Sequence, residues 1–165
     1  MANLETRLKK MIDAYAAMRA GASLEPFQYS PNELGSMAVE IAISHCGICH
    51  SDLHLIDNDW GVSAYPLVPG HEIVGIVTGI GNAVRHLRIG QRVGVGWWAA
   101  SCMACEQCLN GNIGSNAELA AMLDFSAEHK IAPLVECFPM KDANAAIARL
   151  RKNQLRYRAV VVNDR

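Results

Sequence analysis

Little in this sequence of 165 residues is extreme, and what it lacks removes whole classes of function. Charge of one sign is missing: 15 basic residues face 16 acidic ones, for a net charge of −1, and charged residues make up only 19%. Such a balance provides no long-range attraction for nucleic acid or for an anionic membrane surface. Long apolar runs are missing too, because Gly, His or a charged residue interrupts each one short of the ~18 residues a membrane span needs. The opening Met1-Ala2-Asn3-Leu4-Glu5-Thr6-Arg7 has no apolar core of the kind a secretory signal carries. A soluble, cytoplasmic protein with no nucleic-acid or membrane partner is the expectation. Repeats and low-complexity tracts are absent. The hydrophobic share of 51% is too high for intrinsic disorder. A chain of this length can bury roughly 70% of its unfolded surface, enough for one domain with at most a small appendage.

What is present is cysteine in steps. Without a secretory signal, the six cysteines read as thiols or metal ligands before disulfides. Cys46 and Cys49 form one pair, Cys102, Cys105 and Cys108 a tight run, and Cys137 stands alone.

The local patterning predicts a mainly β chain with flanking helices. Leu4, Leu8, Met11, Ile12 and Tyr15 recur at helical spacing and predict an amphipathic helix over 3–18. Pro26, Pro31, Asn32 and Gly35 make 24–36 turn-rich. Val39 to Ile43 alternates like a half-buried strand, and 45–61 reads as a loop rich in His, Cys and Asp. Strands are predicted over 72–80 and 91–95. Helices follow, one opened by a Ser115–Glu118 capping box and one capped by Asp142 and ending near Asn153, before a closing strand at 157–162.

The sharpest chemical pattern is Cys46-Gly47-Ile48-Cys49-His50-Ser51-Asp52-Leu53-His54 with Gly70-His71-Glu72 downstream. Thiolate, imidazole and carboxylate are the donors zinc prefers. Asp52 suits a carboxylate that orients a ligand, and Ser51 and His54 suit removal of a proton from an alcohol. A Cys-rich loop beside a hydrogen-bonded histidine is the alternative. The run Cys102-x2-Cys105-x2-Cys108 has the spacing of a structural zinc site but lacks a local fourth ligand. Gly94-Val95-Gly96-Trp97-Trp98-Ala99 and Gly79-Ile80-Gly81 imitate a dinucleotide fingerprint. Neither leads into a helix, so both read as turn glycines.

Gly70-His71-Glu72-x2-Gly75-x5-Gly81-x2-Val84, taken with Cys49 to His54 and the triple cysteine, resembles the zinc-dependent medium-chain alcohol dehydrogenases. The resemblance is closest to their NADP-linked, cinnamyl-alcohol-dehydrogenase-like branch, runs from about Ile12 to Asn112, and resumes from about Leu119 to Asn163. It implies a GroES-like β-barrel catalytic domain at 12–113, preceded by an N-terminal extension at 1–11. It also implies a helix–helix–strand segment at 114–165, of which 133–165 completes the catalytic domain. It places a strand near Ile12, against the helical spacing there. By resemblance, Cys49 and His71 are ligands of a catalytic zinc, and Glu72 lies beside it. Ser51 takes the substrate proton, Asp52 supports the ligands, and His50 and His54 lie near the cofactor and the proton path. Cys102, Cys105 and Cys108 match three ligands of a structural zinc, and Cys46 has no zinc role. Trp60, Trp97 and Trp98 match the neighbourhood of an aromatic-alcohol pocket, with core packing the alternative for at least one of them, and the substrate implied by resemblance is a small primary alcohol or aldehyde.

The chain departs from that pattern between Asn112 and about Ala117, where the family inserts its Rossmann nucleotide-binding domain. That domain's Gly-rich loop and the third protein ligand of the catalytic zinc are missing, and Asn116 stands where a fourth structural cysteine is due. The implied protein is a zinc-binding alcohol dehydrogenase domain whose NADP(H) binding is doubtful and whose turnover is weak or nil. The rival is a non-enzymatic zinc-binding or self-associating module that uses the bared interdomain face, as a homo-oligomer.

Overall fold

The computed structural model describes residues 11–97, 105–106 and 116–163. Two sheets carry it. A two-stranded antiparallel ribbon joins β1 (Ile12–Ala17) to β2 (Leu24–Tyr29), and a five-stranded sheet has the order β5-β4-β3-β7-β6. Its members are β3 (Val39–Ile48), β4 (Glu72–Ile80), β5 (Arg92–Val95), β6 (Val135–Pro139) and β7 (Arg158–Val162). All neighbours are antiparallel except β6 and β7, which are parallel and joined through a 3-10 turn (Met140–Asp142) and a helix. The helices are α1 (His50–Asp57), α2 (Asn116–Glu128) and α3 (Ala143–Arg151). No helix among the described residues is long and apolar enough to cross a membrane.

The core explains why α3 forms where it does. Ala143, Ala146, Ile147 and Leu150 fall at i, i+3, i+4 and i+7 and are buried against Leu53 and Ile56 of α1 and Ala159 and Val161 of β7. Along β7 the period of two then divides the sheet. Ala159 and Val161 enter this core, while Arg158 and Val160 face the opposite side. In β3 the same alternation sends Cys46 and Ile48 inward and His45 and Gly47 to the other face. That second face carries the site.

An ion pair ties the two core helices at their ends. Arg151 closes α3 and donates two hydrogen bonds, of 2.5 and 2.6 Å, to the carboxylate of Asp57, the last residue of α1. These bonds hold the Asp57 carboxyl below its ordinary range. A carboxylate depressed in the folded state adds stability above its unfolded pKa of about 4, and that stability is lost as pH falls through the lower folded value. Because the pair is partly solvated, its expected worth is about 1 kcal/mol. Arg151→Ala should therefore lower the melting temperature by about 2–4 °C at neutral pH. The difference should vanish in strong acid, as a pair of melting curves against pH would show.

Several sequence expectations need correction. Residues 12–17 are a strand, as the family resemblance implied, not the second half of a helix; the rest of that expected helix lies mostly outside the described residues. Ala16 and Ala17 are fully buried, and Ala17 exchanges backbone hydrogen bonds of 2.8 and 2.9 Å with Leu67, so tertiary pairing overrides the helical spacing. The turn-rich stretch contains β2, with Pro26 tolerated in a two-stranded ribbon. The loop at 45–61 contains α1. Asp142 occupies the N-cap of α3 but makes no side-chain cap bond. Gly79 and Gly94 lie inside strands rather than turns. Ser115 lies outside the described residues.

Candidate metal centre

The site begins with an unusual cap. Cys49 is the N-cap of α1, and the capping box that usually pairs Ser or Thr with Glu is made here by Cys49 and Asp52. The Ser51 N–H donates to Cys49 Sγ at 3.3 Å, and the Cys49 N–H donates to Asp52 Oδ2 at 2.9 Å. The positive end of the helix thus faces the sulfur.

Asp52 does more than close the box. It is fully buried, and its Oδ1 accepts from Gly70 N at 2.8 Å and from His71 Nδ1 at 3.1 Å. One carboxylate thereby fixes the start of α1, the turn before β4 and the histidine ring. Gly70 is required for this approach: its φ is +110°, and a Cβ there would meet Cys46 Sγ at 2.5 Å. With Nδ1–H committed to Asp52, His71 presents the lone pair of Nε2, 3.5 Å from Cys49 Sγ.

That separation is a test of fit for zinc. Tetrahedral zinc, with Zn–S of about 2.3 Å and Zn–N of about 2.0–2.1 Å, requires its sulfur and nitrogen ligands about 3.5 Å apart. Cys49, Asp52 and His71 bring donor atoms within 4.8 Å of one another, the single such group among the described residues. Since both oxygens of Asp52 are already engaged, Cys49 and His71 are the two side chains that could hold a metal ion, and Asp52 orients the histidine ring. Cys46 lies close by, and burial first, with the Asp52 charge second, pushes its thiol up to about 11.

His71 lines a cleft of about 1260 Å³ over the outer face of the five-stranded sheet. Ser51, Trp60, His71, Glu72 and Trp97 all line it. The Trp97 ring stands edge-on to His71 at 4.9 Å and to Trp60 at 6.4 Å, and Trp60 contacts His54 at 5.2 Å, giving one aromatic wall. His54 Nδ1 lies 2.7 Å from Asp59 Oδ2, which fixes its ring at the solvent edge. Glu72 does not join the metal-ligating group. It is paired across the sheet with Gly47, where a Cβ would collide with its carboxylate, and it reaches Arg158 Nε at 3.3 Å. His50 is exposed in the first turn of α1 and does not line the cleft. Cys105 is exposed, whereas Cys102, Cys108 and Trp98 lie outside the described residues. A second groove, of about 680 Å³ between the β1–β2 ribbon and the 3-10 turn, carries neither thiol nor imidazole.

Sequence reasoning missed Arg158, Asp59 and His45. Arg158 belongs to a basic tail with Arg149 and Arg151, and its place one residue before buried Ala159 puts it on the cleft face beside Glu72. Arg149 and Arg151 of the same tail are paired with Glu136 and Asp57.

The comparisons agree with this architecture. A computed superposition on a cinnamyl alcohol dehydrogenase from Sorghum bicolor has a TM-score of 0.83 and covers 93% of this chain and 98% of that one. At 20% identity it speaks for the fold alone. A cinnamyl alcohol dehydrogenase from Helicobacter pylori complexed with NADP(H) superposes with a TM-score of 0.57 at 37% identity, over 60% of this chain and 28% of that one. In sequence, an aldehyde reductase from Synechocystis is 52% identical over 110 residues, 66% of this chain and 33% of its own length. A probable cinnamyl alcohol dehydrogenase from Oryza sativa is 48% identical over 97 residues, 59% of this chain and 27% of its own length. This chain therefore spans about a third or less of the length of these curated relatives. Residues 35–142, which hold Cys49, Asp52 and His71, match the alcohol dehydrogenase GroES-like domain, and the chain belongs to that family.

Proposed function

We propose that this chain is the zinc-holding catalytic domain of an NADP(H)-linked alcohol and aldehyde oxidoreductase, and that alone it turns over weakly or not at all. The observation that carries the reading is the Cys49–His71 pair, held by Asp52 at zinc-ligand spacing, with His71 on the wall of an aromatic cleft. A zinc ion bound there supplies Lewis acidity toward an alcohol or aldehyde oxygen.

The remaining roles fall to the chain's own groups. The Ser51 hydroxyl lines the cleft and accepts the proton an alcohol gives up. His54, oriented by Asp59 and open to water, passes it to solvent. Arg158 holds Glu72 beside the ligand pair without making it a ligand. Trp60 and Trp97 exclude water from one wall and favour a small, flat substrate. His50 sits at the cofactor side, and Cys102, Cys105 and Cys108 are assigned to a second, structural zinc.

Weak turnover follows from what the fold lacks. The described residues contain no doubly wound parallel sheet, and orienting nicotinamide against the substrate is where such a domain would act. NADPH-dependent reduction of a small aldehyde should be at least about 10⁴-fold slower, in kcat/KM, than by a full-length relative. A comparable rate would overturn the assignment. A second reading, a zinc-binding module without turnover, draws on the apolar surface exposed along α2; zinc uptake with no measurable reduction at any NADPH concentration would favour it.

A further inference from the structure

One imidazole in the cleft has no part in the metal centre or the proton path. His45 stands on β3 with Gly47, on the sheet face that floors the cleft, and lines it with Val74, Gly94 and Val160. The register sets Val74 directly beside it and Gly94 beyond, so no large side chain covers the ring from that side. Which nitrogen carries the proton follows from Ser44. The Ser44 hydroxyl donates to the Val74 carbonyl at 3.1 Å, so toward His45 Nδ1, 2.9 Å away, its oxygen can only accept. In the neutral ring Nδ1 therefore holds the hydrogen and Nε2 keeps a lone pair. No described residue bonds to Nε2.

The other strong polar groups of the cleft are already engaged. His71 Nδ1 is committed to Asp52, Glu72 and Arg158 pair with each other, and Ser51 serves the reacting oxygen. Most of the remaining lining is aliphatic or aromatic. Nε2 of His45 is thus a single acceptor set apart from the metal pair, and its complement is a donor on the substrate. A neutral hydroxyl suits it, because Glu72, already paired with Arg158, has little left to offer a cation. The fold also sets the length. His45 lies two residues along β3 from Gly47, which is paired with Glu72, the neighbour of His71. Two strand steps of about 3.4 Å and one strand gap of about 4.8 Å separate the two ends by roughly 8–10 Å, the span of about six to eight extended carbons.

We propose that His45 is a specificity-determining residue of this site, selecting primary alcohols or aldehydes that carry a second hydroxyl at the far end. The inference rests on the oxidoreductase reading for the near end. Its test is binding of 1,8-octanediol and of 1-octanol to the cobalt-loaded chain. Trp60 and Trp97 fluorescence reports entry into the cleft, and the cobalt visible band reports the near end. His45→Leu removes the acceptor and should lower the affinity for the diol, relative to octanol, by about three- to tenfold. His45→Gln keeps an acceptor and should recover much of the ratio. A merely structural role would weaken both ligands alike. Both variants should melt with the parent, since His45 is exposed and outside the core cluster. A ratio that His45→Leu leaves unchanged, a ratio that His45→Gln fails to recover, or a chain that binds neither compound would overturn the assignment. A ratio that falls in His45→Leu while the cobalt band ignores both ligands would uphold the His45 contact and overturn the oxidoreductase reading instead.

Discussion

Asp52→Ala should lower the melting temperature of the metal-free chain by on the order of 10 °C and weaken zinc binding at the Cys49–His71 pair by about ten- to a hundredfold. The stability loss follows from the number of donors that one carboxylate satisfies. The Cys49 N–H, the Gly70 N–H and the His71 ring N–H all point at Asp52, which is fully buried. Alanine leaves them without acceptors where water is excluded, and breaking a buried charged network costs about 3–5 kcal/mol. Asparagine should fall between. Its oxygen can keep either the Cys49 contact or the Gly70 and His71 contacts, but its NH₂ then faces a donor at the other end. Measuring melting and zinc affinity separately matters, because a residue that served only the metal would leave the metal-free transition unmoved. An unchanged transition in Asp52→Ala would contradict the central place given to this side chain.

Cys49→Ser should weaken zinc at the same pair by about a hundredfold or more, since it removes the only thiolate from a site with two protein ligands. Its effect on the fold should be small. Serine is a good N-cap and can accept the Ser51 N–H that Sγ now takes, so α1 keeps its start. This split, a large loss of metal with little loss of melting temperature, differs from the joint loss of both expected for Asp52→Ala. Measuring the pair of variants side by side separates ligand from support. A competing chelator titrated against zinc-loaded protein would read the affinities. Replacing Cys102, Cys105 and Cys108 by serine in both variants removes the second zinc assigned to them.

Much of this arrangement could be read from the chain, and the places where it could not have a common cause. The strand at 72–80 was legible end to end, because β-branched residues and glycine turns bracket it. Helix α3 was legible because its buried face is made within one element. Helix α1 was not: its N-cap is a cysteine and it is eight residues long, so the pattern that named the chemistry hid the helix carrying it. Strands β1 and β2 were obscured for a different reason. Their partners are each other and Leu67, and pairing of that kind leaves only a weak mark on local periodicity. Cys49 and His71 stood out in the chain as residue types at a spacing, and the fold brings them together. The role of Arg158 was not, because it depends on β7 lying beside β3, a register set more than a hundred residues apart.

The most direct test of the account is cobalt substitution in the chain with Cys102, Cys105 and Cys108 replaced by serine. Cobalt reports a tetrahedral, sulfur-containing site by its visible absorption and near-ultraviolet charge transfer. The account predicts about one cobalt per chain, with a charge-transfer band that disappears in Cys49→Ser and visible absorption that weakens in His71→Ala. A chain that binds no cobalt, or a spectrum that Cys49→Ser leaves unchanged, would contradict it.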